Sequence, residues 1–386
     1  MNFLHTSDWH IGRTLNEKSL LEDQSFILKK LLVLLKDEHP EALVIAGDIY
    51  DRSVPSKEAM GMVDDFLSEV ILNLKIPTIM IGGNHDGRER LAFSGGILKK
   101  QGLYIVGNYA PDIEPVILKD KWGEICFWCV PFIKPIEYRH LKESDALHYD
   151  TMYQEIIEDI TERMDQTKRN VLITHGLILG GAKDIETIDD SVRPIEIGGV
   201  EYAHAEDFEA FDYVALGHLH RPQKVLRDTL RYSGSLLKYS FSEAKQQKSV
   251  TMVEMKKKGE VNFTTHILET KRDLRVIKGK LSDLTALDAY DKPGKDDYLK
   301  VILEDEDRLV RPMDRLRKVY PNVLEMEYEV REKTESQRKT GRIKERIQDP
   351  MGLFEDFYNF IYDENMKDDE RAVISDLFKS IEEDEV

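Results

Sequence analysis

Five short apolar runs in this 386-residue chain each lead into side chains of the kind that bind metal ions. Runs of this length, bounded by glycine and polar residues, are typical of buried strands. The loops that follow the strands of an open α/β sheet meet in one crevice, so we expect the side chains after these runs to face a common cleft. Those side chains are Asp8 and His10, Asp48, Asn84 with its neighbours His85 and Asp86, His175, and His218 with His220.

The donor atoms in this set match two adjacent divalent cations. Carboxylate, amide and imidazole donors together suit manganese, iron, zinc and magnesium. Asp48 can bridge two ions through its two carboxylate oxygens, whereas Asn84 offers an oxygen without adding charge. Two ions ~3.5–4 Å apart form the clamp used for in-line displacement at phosphorus. The candidate metal ligands are Asp8, His10, Asp48, Asn84, His175, His218 and His220.

His85 follows a candidate ligand directly and is predicted to have a different role. A histidine beside the ions can contact the scissile phosphate or protonate the leaving oxygen. Asp86 is the next residue, and we expect its carboxylate to orient His85 through a hydrogen bond. His85 and Asp86 are therefore the candidate catalytic residues.

The prediction depends on the whole set, because a D-x-H or H-x-H pair alone is more often structural. Five of the 11 histidines lie in the loops after the predicted strands, which makes an accidental set improbable. His5 is the nearest competitor for a ligand. It lies within or at the edge of the first strand, and we interpret it as a structural residue.

The two cysteines, Cys126 and Cys129, occur in the string Cys-Phe-Trp-Cys. This spacing is compatible with half of a zinc site or with a redox pair. The surrounding sequence is typical of a strand, however, and a separation of three positions along a strand puts two side chains on opposite faces. We therefore interpret both cysteines as structural residues.

The net charge of −18 at pH 7 argues against a protein that simply coats DNA. Residues 349–386 contain 13 acidic and 3 basic residues, whereas residues 337–348 contain 5 basic and 1 acidic. A polyanion would therefore be held by local basic patches, by a partner chain or by cations bound in the cleft. No apolar stretch approaches the ~20 residues of a membrane-spanning helix, and the start lacks the pattern of a signal peptide, so we expect a cytoplasmic protein.

The first ~270 residues alternate predicted strands and helices, as a layered α/β domain does. Helices are predicted from Ser19 to about Lys36, from Ser56 to about Leu74, from Arg88 to Lys100, and from about Tyr149 to Met164. Four late runs are predicted to be antiparallel strands that close the sheet on one side, at residues 224–226, 230–232, 250–253 and 263–265.

From about Asp273 the pattern becomes strand, helix, strand, helix, strand, which predicts a small α+β domain over residues 271–330. Residues 331–348 are charged and lack an apolar face, so we interpret them as a linker. Asp349 and Pro350 then open the first of two short acidic helices within residues 349–386. Helices this short need a surface to pack against, which is either their own domain or, as the basic linker favours, a partner protein.

The ordered motifs D-x-H, G-D, G-N-H-D, H-G and G-H-x-H resemble those of the calcineurin-like metallophosphoesterases. Longer strings are similar to one branch of that family, the bacterial SbcD nuclease subunits. The resemblance covers nearly all of residues 1–270 and extends more loosely to residues 271–330. It is carried by His5 to Gly12, Gly217 to Gln223, Tyr232 to Ser235, and the run from Gly198 to Leu216.

The resemblance implies a fold and a ligand assignment. The fold would be α/β, a two-sheet layered metallophosphoesterase core with helices outside, followed by a small α+β capping domain and a C-terminal helix pair. The metals would be two divalent ions, manganese in the family's usual case and magnesium as the alternative. His85 would be the catalytic histidine. One ion would be held by Asp8, His10, Asp48 and His220, and the other by Asp48, Asn84, His175 and His218.

The resemblance also implies an activity and partners. The activity would be ATP-dependent double-strand exonuclease and single-strand endonuclease cleavage, including hairpin opening, in DNA repair and recombination. Residues 349–386 would dock on an SbcC-type coiled-coil ABC ATPase, and the substrates would be double-stranded DNA ends and hairpins at the nucleoid. The family forms a homodimer within a heterotetramer through helices near the second and third motifs. The apolar residues available for such a bundle, which packing inside the subunit would equally explain, are Met60, Val63, Phe66, Leu67, Leu91, Phe93, Ile97 and Leu98.

Some features leave alternatives open. The family often has Ser-Pro after Gly-Asn-His-Asp, whereas this chain has Gly87 and Arg88, which changes the entry to the third helix but not the ligands. Residues 48–52 resemble the protein phosphatase motif, so a phosphatase or small phosphodiesterase on the same fold is the alternative enzyme. A non-catalytic scaffold that binds DNA ends is the alternative outside the enzymes, and the complete ligand set argues against it.

Overall fold

The computed structural model describes residues 1–181 and 202–329, apart from 287–288, 290–292, 306 and 308, together with scattered positions between 351 and 374. The chain divides into two compact units, Met1–Tyr328 and Glu329–Val386. The predicted linker at 331–348 and the string Gly198–Val200 lie outside the described residues.

Two six-stranded sheets form the body of the first unit. The first sheet has four parallel strands followed by two antiparallel ones, in the order Leu103–Val106, Thr78–Ile81, Ala42–Ile45, Asn2–Thr6, Ser249–Met255 and Val261–Ile267. The second sheet has four parallel central strands and an antiparallel strand at each edge, in the order Gln223–Val225, Arg227–Tyr232, Tyr213–Gly217, Arg169–His175, Gly123–Val130 and Val116–Asp120.

The two sheets pack face to face, and alternate residues of each strand fill the space between them. Phe3 of the first sheet contacts Phe127 and Tyr213 of the second edge-on, with ring centroids 5.5 and 5.6 Å apart. The other faces carry separate apolar clusters, with Leu4 and Leu43 packed on helices of one layer and Leu172 and Leu216 packed in the other. This period-2 alternation produces the predicted two-sheet core with helices outside.

Three residues whose roles were in question lie in this sandwich as expected. His5 is fully buried between the sheets, and its Nδ1 is 3.0 Å from the Tyr213 hydroxyl, which confirms a structural role. Cys126 and Cys129 are both buried and unpaired, and they belong to apolar clusters on opposite faces of their strand. The predicted placement of the two cysteines on opposite faces of the strand is confirmed.

The longer helices begin and end close to the predicted positions. Ser56 accepts a hydrogen bond from the amide of Ala59 at 3.2 Å and caps its helix as expected. Ser19 instead pairs in a short hairpin, so the first helix starts two residues later. The segment Pro135–Lys142 is a helix that the sequence analysis did not predict. The helices of eight residues or more in this unit are Leu21–Glu38, Lys57–Ser68 with a π-helical extension at Glu69–Asn73, Pro135–Lys142, Tyr149–Arg163 and Pro312–Val319.

The prediction of one helix from Arg88 to Lys100 is wrong. The chain forms two single turns, Arg88–Leu91 and Gly95–Leu98, followed by a 3-10 turn at Lys99–Gln101. Ser94 adopts a left-handed conformation with φ of 62°, which breaks the run. Two successive glycines follow it, and glycine is among the weakest helix formers, so propensity does not oppose the break.

The prediction that the four late strands close a single sheet is also wrong. Strands Gln223–Val225 and Arg227–Tyr232 belong to the second sheet, and Arg227–Tyr232 runs parallel to its neighbour Tyr213–Gly217. Strands Ser249–Met255 and Val261–Ile267 belong to the first sheet. The chain therefore crosses from one sheet to the other between residues 233 and 248, close to the carboxyl ends of the strands.

The small α+β fold predicted after residue 271 is confirmed. Its three strands are parallel, with Tyr298–Leu303 between Leu274–Gly279 and Val323–Tyr328. Helices Leu281–Leu284 and Pro312–Val319 provide the crossovers. Ion pairs join this sheet to the first long helix, where Arg272 contacts the buried Asp23 at 2.8 Å.

The described positions of the second unit agree with the predicted helix pair. Residues 351–352, 354–355 and 358 are helical, as are residues 370–371 and 373–374. The Tyr358 hydroxyl lies 3.1 Å from a carboxylate oxygen of Glu370, and Arg371 pairs with Glu355 at 2.7 Å, so the two helices contact each other. Within the described residues, no helix combines the length and the apolar character needed to cross a membrane.

Candidate metal centre

The loops at the carboxyl ends of five parallel strands carry all seven predicted ligands, and both sheets contribute. Asp8 and His10 follow the strand Asn2–Thr6, and the other loops of the first sheet supply Asp48 and Asn84. His175 ends its strand in the second sheet, and the loop after Tyr213–Gly217 supplies the last two ligands, His218 and His220. The site therefore lies where the ends of the two sheets meet.

The first group of ligands contains Asp8, His10 and His220, whose donor atoms all lie within 4.8 Å of one another. The Nε2 atoms of His10 and His220 are only 3.1 Å apart. The carboxylate of Asp8 accepts hydrogen bonds from the amide of His218 at 3.0 and 3.1 Å, which fixes its orientation. All three side chains of the group are buried.

The second group contains Asn84, His175 and His218. The Asn84 side-chain oxygen lies 3.0 Å from Nε2 of His175 and 3.1 Å from Nδ1 of His218. Asp48 lies between the groups, because its Oδ2 is 3.4 Å from His175 Nε2 and 3.6 Å from His10 Nε2. This is the position required of a carboxylate that bridges two ions.

The ligand loops have a backbone that most residues avoid. Asp8, His10 and Asp48 have φ angles of 53°, 45° and 50°, in the left-handed region. Strain of this kind persists at functional sites when the surrounding structure fixes it. At Gly217, a Cβ atom would lie 1.8 Å from the carbonyl oxygen of Ala46, so only glycine allows the two sheets to approach this closely.

Hydrogen bonds on the far side of three histidines determine which ring nitrogen faces the cleft. His175 Nδ1 lies 2.8 Å from the carbonyl oxygen of Ala46, and His220 Nδ1 lies 3.1 Å from the carboxylate of Glu243. His85 Nδ1 lies 2.9 Å from the carbonyl oxygen of Asp51. Carbonyl and carboxylate oxygens only accept, so each Nδ1 carries a proton and Nε2 is the nitrogen that faces the cleft.

Burial keeps several of these groups in the form that binds cations. Burial lowers the pKa of His10 well below its usual value, and it lowers the pKa of His218 to about 3, so both rings are neutral. Burial opposes the ionisation of Asp48, but His175, His10 and His85 outweigh it and hold the pKa of Asp48 far below its usual range. Burial also opposes a charge on His175, whose pKa the carboxylates of Asp48 and Asp8 raise to about 9.

The donor set fits two divalent cations. The Nε2 atoms of His10 and His220 lie 3.1 Å apart beside the Asp8 carboxylate, so two imidazole nitrogens and a carboxylate oxygen converge on one position, as the ligands of a divalent cation do. At the second position, the Asn84 oxygen converges in the same way with ring nitrogens of His175 and His218. Asp48 lies between the two groups, and Asp8, Asp48 and His175 also have donor atoms within 4.8 Å of one another, so the two positions are adjacent, as a dinuclear site requires.

Asp86 does not orient His85, and that expectation is wrong. The Asp86 carboxylate accepts hydrogen bonds from the amides of Ile49, Tyr50 and Gly83, at 3.2, 2.9 and 2.9 Å. It is buried, and this burial together with the charge of Asp48 raises its pKa to about 6. Asp86 therefore ties together the loops that carry Asp48 and Asn84, while the Asp51 carbonyl orients His85.

Three residues at the site were not singled out from the sequence. Asp51 holds His85 through its carbonyl, and its carboxylate accepts from Arg13 at 2.8 Å. Ser7 donates to the Asp8 carboxylate at 2.5 Å. Glu243 contacts His220 from 23 positions further along the chain. Ser7 is adjacent to Asp8 and Asp51 lies three positions after Asp48, so both were close to predicted ligands in the sequence, whereas no local pattern marks Glu243.

Comparison with known proteins gives the family. Residues 1–222 match the family described as calcineurin-like phosphoesterase. A curated relative, the SbcD subunit of nuclease SbcCD from Staphylococcus epidermidis, is 35% identical over 382 residues, which cover 99% of each chain. The chain belongs to the SbcD family of calcineurin-like phosphoesterases.

The C-terminal part also matches an SbcD family. Residues 270–361 match the SbcD C-terminal family, described as type 5 capsule protein repressor C-terminal domain. The two matches together cover most of the two-sheet body, the small α+β fold and the start of the predicted helix pair of this SbcD-family chain, and residues 223–269 lie between them.

Solved structures with similar folds are more distant. TT1561 of Thermus thermophilus is 14% identical and covers 68% of this chain and 98% of its own, with a TM-score of 0.37. GAP50, the anchor in the inner membrane complex of Plasmodium, is also 14% identical and covers 86% of this chain and 98% of its own, with a TM-score of 0.40. Scores this low support no argument about the function of the SbcD-family chain.

Proposed function

We propose that this chain is the nuclease subunit of an SbcCD-type complex. It is a metal-dependent phosphodiesterase that acts on DNA, as a double-strand exonuclease and a single-strand and hairpin endonuclease, in repair and recombination. The observation that carries the proposal is the convergence of seven donor side chains on two positions that share Asp48. The near full-length similarity to a nuclease subunit supports DNA as the substrate.

The residues divide into two proposed metal sites and one proton-transfer group. Manganese is the proposed metal in both sites. When bound, the pair of ions supplies an activated water and stabilises negative charge on the phosphate oxygens. The first site uses Asp8, His10, Asp48 and His220, and the second uses Asp48, Asn84, His175 and His218.

His85 is the proposed catalytic histidine. Its Nδ1–H donates to the carbonyl of Asp51, so Nε2 is the atom that can hold and release a proton. The ring is half-buried and contacts His10 edge-on with centroids 4.7 Å apart, which places it beside the first metal site. In this position Nε2 can contact the scissile phosphate and deliver a proton to the leaving oxygen.

The proposal divides the chain into four segments. Residues 1–270 form the nuclease domain, residues 271–330 the capping and DNA-binding domain, residues 331–348 a charged linker, and residues 349–386 the helices that dock on an SbcC-type coiled-coil ABC ATPase. The contacts between Tyr358 and Glu370 and between Arg371 and Glu355 support a preformed helix pair. We place the complex in the cytoplasm at the nucleoid.

Homodimer formation is also part of the proposal. Among the apolar residues expected near the second and third motifs, Val63 and Phe66 are buried within the subunit. Met60, Phe93 and Ile97 are 41%, 78% and 71% exposed, respectively. The exposed residues support a subunit interface on this surface within a heterotetramer, while the buried ones belong to the subunit core.

Cleavage of a hairpin oligonucleotide in the presence of Mn²⁺ tests the proposed activity. We expect the full chain, assayed alone and with a coiled-coil ABC ATPase, to open the hairpin and to release nucleotides from double-stranded ends. A phosphoprotein and a chromogenic phosphodiester serve as competing substrates in parallel reactions. Turnover of the small diester or the phosphoprotein without any cleavage of DNA would reject the nuclease and favour a phosphatase or small phosphodiesterase.

Deleting residues 349–386 is expected to abolish capture of the ATPase while leaving Mn²⁺-dependent cleavage intact, because the seven ligands lie before residue 221. Co-purification with a coexpressed SbcC-type ATPase measures capture. Val373→Asp places a charge on a valine that is 61% exposed in the helix pair, and this variant should also lose capture of the ATPase. Val33→Asp is the matched control on the nuclease domain, where the valine is 53% exposed, and it should retain capture. Unchanged capture of the truncated chain would show that the docking surface lies elsewhere.

A further inference from the structure

A buried pair of opposite charges lies behind the metal ligand His220. Glu243 is fully buried and Lys248 is 5% exposed, and their charged atoms, Oε2 and Nζ, are 2.6 Å apart. Both belong to the segment that crosses between the two sheets. No other described ligand of the proposed metal sites has such a pair within hydrogen-bond distance of its ring.

The pair holds His220 at two points. Glu243 Oε1 lies 3.1 Å from Nδ1 of the His220 ring. Lys248 Nζ donates to the backbone carbonyl of the same histidine at 2.8 Å. Ser240 and Gln246 complete the network, with hydrogen bonds of 3.1 Å to Glu243 and 2.7 Å from Lys248.

This arrangement is poorly explained as a device for stability. Removing two charges from water costs several kcal/mol per ion, and replacing a buried pair by apolar residues is often neutral or stabilising. A carboxylate that accepts the second ring N–H of a metal-bound histidine fixes the ring and its tautomer and makes the ligand more basic. Glu243 stands in that position relative to His220, whose Nε2 faces His10.

We propose that Glu243 and Lys248 are positioning residues that set the affinity of the first metal site by holding His220 in place. The proposal rests on the proposed two-metal function. Glu243 keeps the proton on Nδ1 and the lone pair on Nε2, and Lys248 offsets the charge of Glu243 while anchoring the backbone of His220.

The second metal site does not depend on this pair. One of its two histidines, His175, has Nδ1 fixed by the backbone carbonyl of Ala46 at 2.8 Å, which no side-chain substitution removes. His175 and His220 therefore differ in what fixes the ring: a backbone group for His175 and a charged side-chain network for His220. A change at Glu243 should lower affinity at the first site alone.

The double variant Glu243→Leu with Lys248→Met removes the acceptor for His220 without leaving a buried charge unpaired. We expect the affinity of the first site for Mn²⁺ to fall ~10–100-fold while the second keeps its native affinity. Electron paramagnetic resonance of Mn²⁺ added to the metal-free full chain measures both sites. At the same Mn²⁺ concentration, the native chain should show the spin-coupled signal of two adjacent ions, and the double variant should show the signal of an isolated ion.

Glu243→Gln provides the conservative rescue. Its amide oxygen still accepts from His220 Nδ1 but carries no charge, so we expect a measurable loss that is smaller than ~10-fold and again confined to the first site. The matched control is Asp212→Asn, because Asp212 is a carboxylate with a 5% exposed side chain that pairs with Lys258 at 2.8 Å, at the opposite end of the strand Tyr213–Gly217. The control should bind two Mn²⁺ ions with native affinity.

Native first-site affinity in the double variant, or equal losses at both sites, would overturn the proposal. If circular dichroism shows that the double variant does not fold, Glu243→Gln decides: a loss confined to the first site supports a positioning role, and native affinity overturns it. Failure of the proposed nuclease function has a different signature, namely a native chain that binds two Mn²⁺ ions yet cleaves no DNA.

Discussion

His85→Ala should lower Mn²⁺-dependent hairpin cleavage by ~10²–10⁴-fold, the range expected for loss of one general acid–base group. The reason is geometric. The His85 side chain is held by the carbonyl of Asp51 and contacts His10, but the seven proposed ligands retain their own contacts without it. Metal occupancy should therefore stay at two ions per chain.

Single-turnover cleavage and metal analysis of the same preparation test this prediction. His140→Ala is the matched control, since His140 is exposed on the helix Pro135–Lys142 and should retain native cleavage. Loss of an ion in His85→Ala would identify the residue as a ligand and remove it from proton transfer. Native cleavage by His85→Ala would show that solvent or another group protonates the leaving oxygen.

Asp48→Asn should have the largest effect of any single substitution. Asp48 Oδ2 faces His10 and His175, one from each proposed site, and Oδ1 accepts from the amide of His85 at 2.8 Å. Asparagine keeps the size of the side chain but removes the charge that both ions share. We expect both sites to lose Mn²⁺ affinity by more than the ~100-fold found for changes outside the ligand set, with cleavage falling to background.

Titration of Mn²⁺ monitored by calorimetry, together with the hairpin assay, measures the effect of Asp48→Asn. Asp228→Asn is the matched control, because Asp228 is 65% exposed and pairs only with Lys224 among the contacts described for its carboxylate. If Asp48→Asn lost one ion and kept the other at native affinity, Asp48 would be a terminal ligand and the bridged arrangement would be refuted.

The convergence of the seven proposed ligands was predictable because it depends on strand ends, which hydrophobic runs mark clearly. A run such as Leu43 to Ile45 identifies a buried strand, and Asp48 follows it at the edge where parallel strands converge. The role of Asp86 was not predictable in the same way. Its three amide partners come from two loops, Ile49 and Tyr50 in one and Gly83 in the other, and only the folded geometry brings them together.

The two errors in the fold have a common origin. Apolar spacing identifies strands and helices but does not reveal where a turn interrupts them or which sheet a strand joins. Ser94 breaks a helical pattern through its left-handed backbone angle, and Arg227–Tyr232 joins the second sheet because it pairs with Tyr213–Gly217. Glu243 was missed for the same reason, since its partner His220 is distant in sequence.

The division of the ligands between two sheets has a consequence for how the protein holds together. Each ion would contact Asp48 from the first sheet and at least one histidine from the second. Metal binding would therefore cross-link the two sheets. Removal of the metals by a chelator should then weaken the packing between the two sheets and also abolish DNA cleavage. Conversely, partial separation of the two sheets would release the metals, and a nuclease in that partly opened state would not cleave DNA.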